Sequence, residues 1–292
     1  AVAVSAFVPL RGALTDPMAA LAATSTGGRV PFYGPNQAGI LTAPPQHLTI
    51  AALDLGVTNA DQLRALLKEW TKAAAAMTVG DPIGKLDTAA TVVPADSGEV
   101  VDETAANLTI TIGFGPSMFD QRFGFGAARP GPLADLPKFS KDQLDARRSG
   151  GDILVQACAD SPQVADHAVR DLVLLAGTRA RFRWLQRGFA DVSGAPGSTG
   201  TTPRNVLGFR DGTANLDTTD AARMARNVWA NTAESPGWMT GGTYAVVRRV
   251  RNLVEVWDRA TLEEQENSIG RRKYSGAPFG RTGEKDQVDP KL

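Results

Sequence analysis

The sequence predicts an α+β fold of two ferredoxin-like units with antiparallel sheets, the second unit being incomplete. Two observations support this prediction. Four strand-like and two helix-like segments follow one another in the order β-α-β-β-α-β before residue 190, which is the split βαβ arrangement of a ferredoxin-like unit. Beyond a linker, only one further strand and one further helix can be identified. They correspond to the start of a second unit.

The elements of the first unit follow from hydrophobic periodicity and helix-capping residues. Apolar residues alternate strictly over residues 108–115, which is typical of a strand with one buried face. Asn59 and the pair Ser161-Pro162 are typical helix starts, because an Asn or Ser side chain caps the first turn and proline is tolerated there. The predicted strands are residues 47–55, 108–115, 151–159 and 180–189, and the predicted helices are residues 60–70, with Leu63, Leu66, Leu67 and Trp70 facing inward, and 161–176.

The remaining segments divide the chain into two predicted domains, 1–192 and 193–292. Residues 1–46 are rich in Gly, Pro, Ala and Thr and predict an irregular arm. A Gly-, Ser- and Pro-rich linker at 193–203 precedes a long predicted strand at 243–257 and a helix at 261–269. One strand and one helix would leave a sheet with exposed edges and a half-covered apolar face. We therefore expect the C-terminal part of the second unit to be missing from the sequence.

Composition argues against several kinds of partner. The 292 residues include 31 basic and 31 acidic side chains, and no segment concentrates the positive charge that nucleic-acid binding requires. The apolar stretches fall short of the roughly 20 residues that cross a bilayer. We therefore expect a chain with neither a nucleic acid nor a membrane as its partner.

Cysteine and histidine are scarce. Cys158 is the only cysteine, so no intrachain disulfide can form, and a buried strand thiol is its expected role. His47 and His167 are the only histidines. We therefore expect no site that needs two or three imidazole ligands, such as a hydrolytic zinc centre. Catalysis by this chain would therefore depend on other side chains.

The segment GFRDGTAN, residues 208–215, is the first candidate for chemistry. Glycines flank Asp211 and let the backbone approach a flat ligand closely. In isolation, such a segment is more often an ordinary turn in which the aspartate caps the backbone. Its interpretation therefore depends on the rest of the chain.

Five motifs together resemble one family. They are PFYGPNQAGI, LTITIGFG, GFRDGTANL, GGTYAVVRRVR and IGRRKYSGAPFG, and they occur in this order over residues 31–290. In this combination the chain resembles the dye-decolourising peroxidases, in particular their exported, deferrochelatase-like bacterial type. The resemblance implies two ferredoxin-like units with haem b between them, which agrees with the fold predicted from periodicity.

The resemblance also implies roles for individual residues. Asp211 would be the distal acid/base for hydrogen peroxide, since a carboxylate can move a proton between the two peroxide oxygens. Gly212, Thr213 and Ala214 would pack against the porphyrin edge, and Arg271 would bind a haem propionate as a guanidinium fork. Hydrogen peroxide and a bulky reductant, a dye or a phenol, would be the substrates.

The chain departs from the family pattern in two places. Asn36 stands where the family usually has a histidine. The family's proximal histidine and distal arginine would both lie beyond Leu292, so no residue of this chain is assigned to the iron. We expect structural roles for His47 and His167, which occupy positions that the family does not use for haem.

Three interpretations stay open from sequence alone. The first is a haem peroxidase, the second a haem-handling protein that releases iron from porphyrin, and the third a haem-free truncated form without activity. The resemblance further implies an exported protein whose twin-arginine signal has been removed. A homo-oligomer is left open, as are the physiological reductant and the route of electrons through Trp and Tyr residues.

Overall fold

The computed structural model describes residues 2–7, 28–86, 89–190, 202–231, 233 and 235–288. Contacts divide the chain into two units. The first comprises Ala1–Phe189 and Ala225–Arg249, and the second comprises Ala190–Met224 and Val250–Leu292. The segment 225–249 thus belongs with the first unit, while the predicted boundary between residues 192 and 193 stays a prediction.

The first unit contains one six-stranded antiparallel sheet. From one edge to the other, its strands are Ala180–Phe189, His47–Leu55, Ile153–Ala159, Thr109–Phe114, Val2–Phe7 and Thr243–Arg248. The four strands between His47 and Phe189 lie side by side at one end of the sheet and, with the two long helices between them in the chain, give the predicted β-α-β-β-α-β order, so the predicted fold class is confirmed. The strands are β1 (Val2–Phe7), β2 (His47–Leu55), β3 (Thr109–Phe114), β4 (Ile153–Ala159), β5 (Ala180–Phe189) and β6 (Thr243–Arg248), and the long helices are α1 (Ala60–Met77) and α2 (Pro162–Ala176).

Both long helices begin at the predicted caps. The Asn59 side chain accepts the Gln62 N–H at 3.0 Å, and the Ser161 side chain accepts the Val164 N–H. Leu63, Leu66 and Trp70 of α1 are buried as expected, whereas Leu67 is only half-buried. The core lies between these helices and the inner strands β2, β3 and β4.

The side chains of Trp70 and Gln37 each connect two segments by hydrogen bonds to backbone atoms. The buried Trp70 Nε1 donates to the carbonyl of Leu172 at 2.7 Å and so joins α1 to α2. In the arm, Gln37 is 3% exposed and bonds both the N–H and the C=O of Ile112, each at 2.9 Å. Its amide therefore occupies hydrogen-bonding groups of β3 as a neighbouring strand would.

The arm differs in part from its prediction. Residues 28–46 consist of turns and bends, as expected, but Val2–Phe7 forms strand β1, which pairs with β3 and β6. The expectation of a wholly irregular arm is therefore wrong. Strand β6, which pairs with β1, lies more than 230 residues after it in the sequence, and local sequence pattern carries no information about such a pairing. Asn36, at the family's histidine position, donates to the Gly241 carbonyl at 2.8 Å.

The strand predicted at 243–257 is also corrected. It ends at Arg248, and Val254–Trp257 forms a short helix, α4. A run of a few apolar residues fits either element, so periodicity could not separate them. Strand β6 joins the sheet of the first unit instead of opening a second sheet. The predicted helix at 261–269 is confirmed as α5 (Leu262–Ile269). A further short helix, α3 (Ala221–Asn227), precedes β6 in the chain.

Most of the predicted linker at 193–203 lies outside the described residues. Within the described part of the chain, every helix is too short or too polar to cross a bilayer. Cys158 is half-buried on β4, and burial raises the pKa of its thiol to about 11. It is therefore protonated and unreactive at neutral pH, in agreement with a structural role.

One buried carboxylate joins the ends of three strands. Asp152, immediately before β4, accepts the N–H of Leu55 at 2.9 Å, the hydroxyl of Ser117 at 2.7 Å, and two N–H groups of Arg122 at 2.8 and 3.0 Å. Burial acts to raise the pKa of Asp152, but the bonds from Arg122, Leu55 and Ser117 outweigh it and hold the pKa below its ordinary value. The carboxylate is thus charged in the folded protein.

We expect Asp152→Asn to lower the free energy of unfolding by about 2–4 kcal/mol, because an amide cannot accept all four bonds and leaves Arg122 without its buried partner. The matched control is Asp120→Asn, since Asp120 is the exposed partner of the same arginine. It should cost below about 1 kcal/mol. Urea unfolding measures both, and equal losses would contradict the role assigned to Asp152.

The effect of this carboxylate also depends on pH in a defined direction. Because its pKa is lowered on folding, its contribution is fully present above the unfolded pKa of about 4 and is lost as the pH falls through the folded value. The difference in stability between the parent protein and Asp152→Asn should therefore be constant from pH 5 to 8 and shrink below pH 4.

Candidate active site

The GFRDGTAN segment lies in a tight hairpin-like loop of the second unit. Arg204 and Arg210 form an isolated antiparallel bridge, and the Asn205 side-chain oxygen accepts the N–H of Leu207 at 3.0 Å. Phe209, 2% exposed, packs edge-to-face on Trp257 at 5.9 Å between ring centroids. Its packing anchors the loop immediately before the candidate acid.

Asp211 is held by its backbone and not by its side chain. Its N–H donates to the carbonyl of Pro203 at 2.9 Å. Its side chain is exposed, and neither carboxylate oxygen takes part in a hydrogen bond or ion pair with any residue that the structure describes. The carboxylate is therefore available to a ligand.

The three residues after Asp211 form a turn. Gly212 has φ +100°, and the Asn215 N–H donates to its carbonyl at 3.1 Å. A Cβ at Gly212 would lie 2.8 Å from the Asn215 side chain, so only glycine fits this turn without strain. Thr213 donates its hydroxyl to Glu284 at 2.9 Å, whereas Ala214 is exposed.

Arg271 is half-buried directly after Gly270, whose positive φ ends α5. Its Nη1 donates to the carbonyls of Gly276 at 2.7 Å and Glu284 at 2.9 Å. Nε and Nη2 have no hydrogen bond to any described residue. One corner of the guanidinium therefore fastens the loop after α5, and two donors are left for an anionic group.

Glu284 is the residue that sequence analysis missed. It bonds Thr213 on one side and lies 3.6 Å from Nε of Arg210, which is buried without a hydrogen bond among the described residues. Burial acts to raise the pKa of Glu284, but hydrogen bonds from Thr202 and Thr213 and the charges of Arg210 and Lys285 hold it below its ordinary value. Glu284 thus ties the Asp211 loop to the loop fastened by Arg271.

Both histidines lie in the first unit. His47 begins β2, opposite Ala159 and Phe189. His167 is buried on α2 beside two aspartates, Asp96 and Asp171. Burial raises the pKa of Asp171, against the opposing hydrogen bonds from Ser97. The second unit contains no histidine, so the structure brings no imidazole of that unit to Asp211.

Comparison with known proteins identifies the family. A model of the N-terminal domain of Dyp-type peroxidases matches residues 37–190, and the corresponding C-terminal model matches residues 202–290. The chain belongs to the Dyp-type peroxidase family. The resemblance predicted from the five motifs is therefore confirmed. The C-terminal match also corrects the expectation that the C-terminal part is missing, because residues of that domain are present.

Curated relatives of this Dyp-type chain include deferrochelatases. The deferrochelatase of Yersinia pestis bv. Antiqua (strain Nepal516) is 38% identical over 259 residues, which cover 88% of this chain and 59% of the relative. That of Escherichia coli O6:K15:H31 (strain 536 / UPEC) is also 38% identical, over 89% of this chain and 62% of the relative. The chain thus spans about three fifths of the length of these relatives.

Solved structures of Dyp-type peroxidases share the fold. The enzyme from Streptomyces coelicolor matches with a TM-score of 0.77 and 37% identity, over 90% of this chain and 69% of that one. Ferric DtpA from Streptomyces lividans matches with a TM-score of 0.78 and 36% identity, over 91% and 70%. An oxyferrous complex of DtpA matches equally well. These ferric and oxyferrous forms confirm haem as the cofactor of the family.

We expect Glu284→Ala to loosen the loop that carries Asp211, because the Thr213 hydroxyl loses its acceptor. A hydrogen bond to a charged group contributes about 1.5–3 kcal/mol, so amide hydrogen exchange over residues 211–215 should become roughly 10- to 150-fold faster. The control is Glu263→Ala, at an exposed position in the first turn of α5. Unchanged exchange in Glu284→Ala would contradict the positioning role of Glu284.

Proposed function

We propose that this chain carries the distal side of a haem b peroxidase that reduces hydrogen peroxide and oxidises bulky reductants such as dyes or phenols. The observation that supports the proposal most is the free, exposed carboxylate of Asp211 on a glycine-flanked loop. It stands within a chain that matches both Dyp-type domains in order. The reductant class is inferred from the family resemblance.

The chemistry of the residues around Asp211 fits a haem. Gly212 has a positive φ and packs against the Asn215 side chain, so it fixes the turn that presents Asp211. Arg271 keeps two donors without partners among the described residues, and a guanidinium fork binds carboxylates well. Arg271 would hold a propionate, while Gly212, Thr213 and Ala214 would border the ring.

Haem, when bound, supplies the iron at which peroxide is bound and its O–O bond is cleaved. The contribution of this chain is proton transfer: the carboxylate of Asp211 would accept the proton of the inner peroxide oxygen and return it to the outer one. The carboxylate of Asp211 has no hydrogen bond to a described residue, so both of its oxygens are available for this role.

No residue of this chain is proposed as the ligand of the iron. The second unit has no histidine, and the matched length is about three fifths of the curated relatives. The proximal histidine and the distal arginine that the resemblance implies are therefore assigned to no residue of this chain. An extracytoplasmic location is proposed on the resemblance alone.

We expect Asp211→Asn in the haem-loaded protein to slow the reaction with hydrogen peroxide by about 10²–10⁴-fold, because an amide cannot take up the proton. The Soret band should stay, since Arg271 and the turn are unchanged. Stopped-flow absorbance measures the rate. The matched control is Asp217→Asn, an exposed aspartate six residues away that bonds only Thr219. A parental rate in Asp211→Asn would rule out the proton-transfer role.

Haem handling is the second candidate function, and the names of the curated relatives favour it. Both relatives described above are deferrochelatases. In that function the same residues would hold haem while iron is released and porphyrin is left intact. Asp211 and Arg271 would then serve to bind and orient the ring, without sustained peroxide turnover.

Product analysis separates the two functions. The protein is incubated with haem, and the mixture is examined by chromatography and fluorescence for free protoporphyrin. A parallel sample receives hydrogen peroxide and an anthraquinone dye. We expect rapid peroxide-dependent bleaching with haem recovered intact. Protoporphyrin without bleaching would support iron release instead, and the absence of any Soret band would support the haem-free form.

A further inference from the structure

A cluster of potential metal ligands lies within the first unit and is formed by Asp96, His167 and Asp171. His167 and Asp171 are four residues apart on α2, so both project from one face of the helix. Asp96 comes from the segment between α1 and β3. One ligand atom of each residue lies within 4.8 Å of the others, and the three side chains are 4%, 3% and 0% exposed.

The hydrogen bonds within this Asp-His-Asp cluster leave one buried oxygen unused. Asp96 accepts the N–H groups of Ile83 and Gly98, each at 2.8 Å. Asp171 accepts the Ser97 N–H at 2.9 Å through Oδ2, but its buried Oδ1 has no partner among the described residues. A fully buried carboxylate oxygen is rarely left in this way, because it has lost its water without gaining a donor.

The positive charge facing the two carboxylates is small. Among the described residues, His167 is the one basic side chain within ion-pair distance of either aspartate, at 3.9 Å from Asp96 and 3.6 Å from Asp171. Both distances exceed that of a hydrogen bond. Each of the two carboxyl groups therefore lies beside one imidazole and has no Lys or Arg partner among the described residues.

The imidazole has a nitrogen to offer. The Ser97 hydroxyl lies 3.1 Å from Nδ1 of His167. When Nδ1 donates to that oxygen, the lone pair of Nε2, which faces Asp96, is left for a metal ion. This arrangement matches metal-binding histidines, whose other ring nitrogen usually donates to an acceptor that fixes the tautomer.

The cluster also borders space for water. Asp96 and His167 line a cavity of about 140 Å³, whose wall includes two further acids, Asp81 and Glu103. A cavity of this size admits several water molecules. It therefore provides both an approach for a hydrated cation and water ligands to complete its coordination.

We propose that Asp96, His167 and Asp171 bind a divalent first-row transition metal ion, with one imidazole nitrogen and two carboxylate oxygens as protein ligands. This ligand set suits zinc, manganese or ferrous ions better than calcium, because an imidazole is included. Ligands about 2.1 Å from a tetrahedral ion lie about 3.4 Å apart, so the ligand atoms of the cluster, which lie within 4.8 Å of one another, need to approach by up to about 1.4 Å. The three ligands belong to the first unit, whereas the residues proposed to border haem belong to the second, and the metal site does not rest on the proposed peroxidase function.

Zinc binding tests the proposal, because zinc is measured independently of haem iron. Tag-free protein is stripped with a chelator, dialysed against Zn²⁺ and analysed by mass spectrometry of the elements. We expect about one Zn²⁺ per chain. His167→Gln and Asp171→Asn should each weaken binding at least about 10-fold. Glu103→Gln, which changes an acid on the wall of the same cavity, is the matched control and should bind as the parent does.

Three results would overturn the metal site. They are a parent protein that takes up no zinc, folded His167→Gln and Asp171→Asn variants that bind as the parent does, and zinc located elsewhere. The last is decided on the parent protein by anomalous diffraction from zinc-soaked crystals, so the test stands even where a variant fails to fold. We expect the anomalous peak between Asp96 and His167. An Asp171 that carries a proton in place of a metal would give no peak there.

Discussion

The buried carboxylate of Asp152 is the interaction on which the first unit most depends. Its charge lies at the point where β2 and β3 end and β4 begins, and it takes donors from Leu55, Ser117 and Arg122. Because a buried charge needs all of its donors, the ends of these strands are held in one alignment. A slip of one residue would break these bonds and also turn the apolar face of each strand away from α1 and α2.

Local sequence pattern was sufficient where an element depends on its own residues. The caps Asn59 and Ser161 and the alternation before Phe114 predicted the ferredoxin-like order of the first unit. Strand β1 depends on pairing with β6, which lies near the other end of the chain, and its own residues do not encode that partner. The same limit explains α4, since the residues 253–257 form a short apolar run that suits either element.

In the candidate site, the glycine-flanked motif located Asp211, but no spacing in the sequence indicated Glu284. The two carboxylates differ in how they are used. Glu284 is half-buried and bonds Thr213, so it maintains the loop. Asp211 is exposed and bonds no described side chain. The hydrogen bonds of Glu284 hold two loops together, whereas those of Asp211 are still to be made, and this difference separates the proposed acid/base from the residue that supports its loop.

The surroundings of His167 determine whether its imidazole can bind haem iron or a single metal ion. A haem iron needs an imidazole that presents one nitrogen to the face of a wide planar ring. His167 is 3% exposed, with Ser97 against one ring nitrogen and Asp96 facing the other, so a porphyrin could reach it only by unpacking α2. A single ion with bonds of about 2 Å needs no such opening and gains two carboxylates in addition. The features that make His167 unsuitable as an axial ligand of haem are therefore the ones that suit it to a small, separately bound cation.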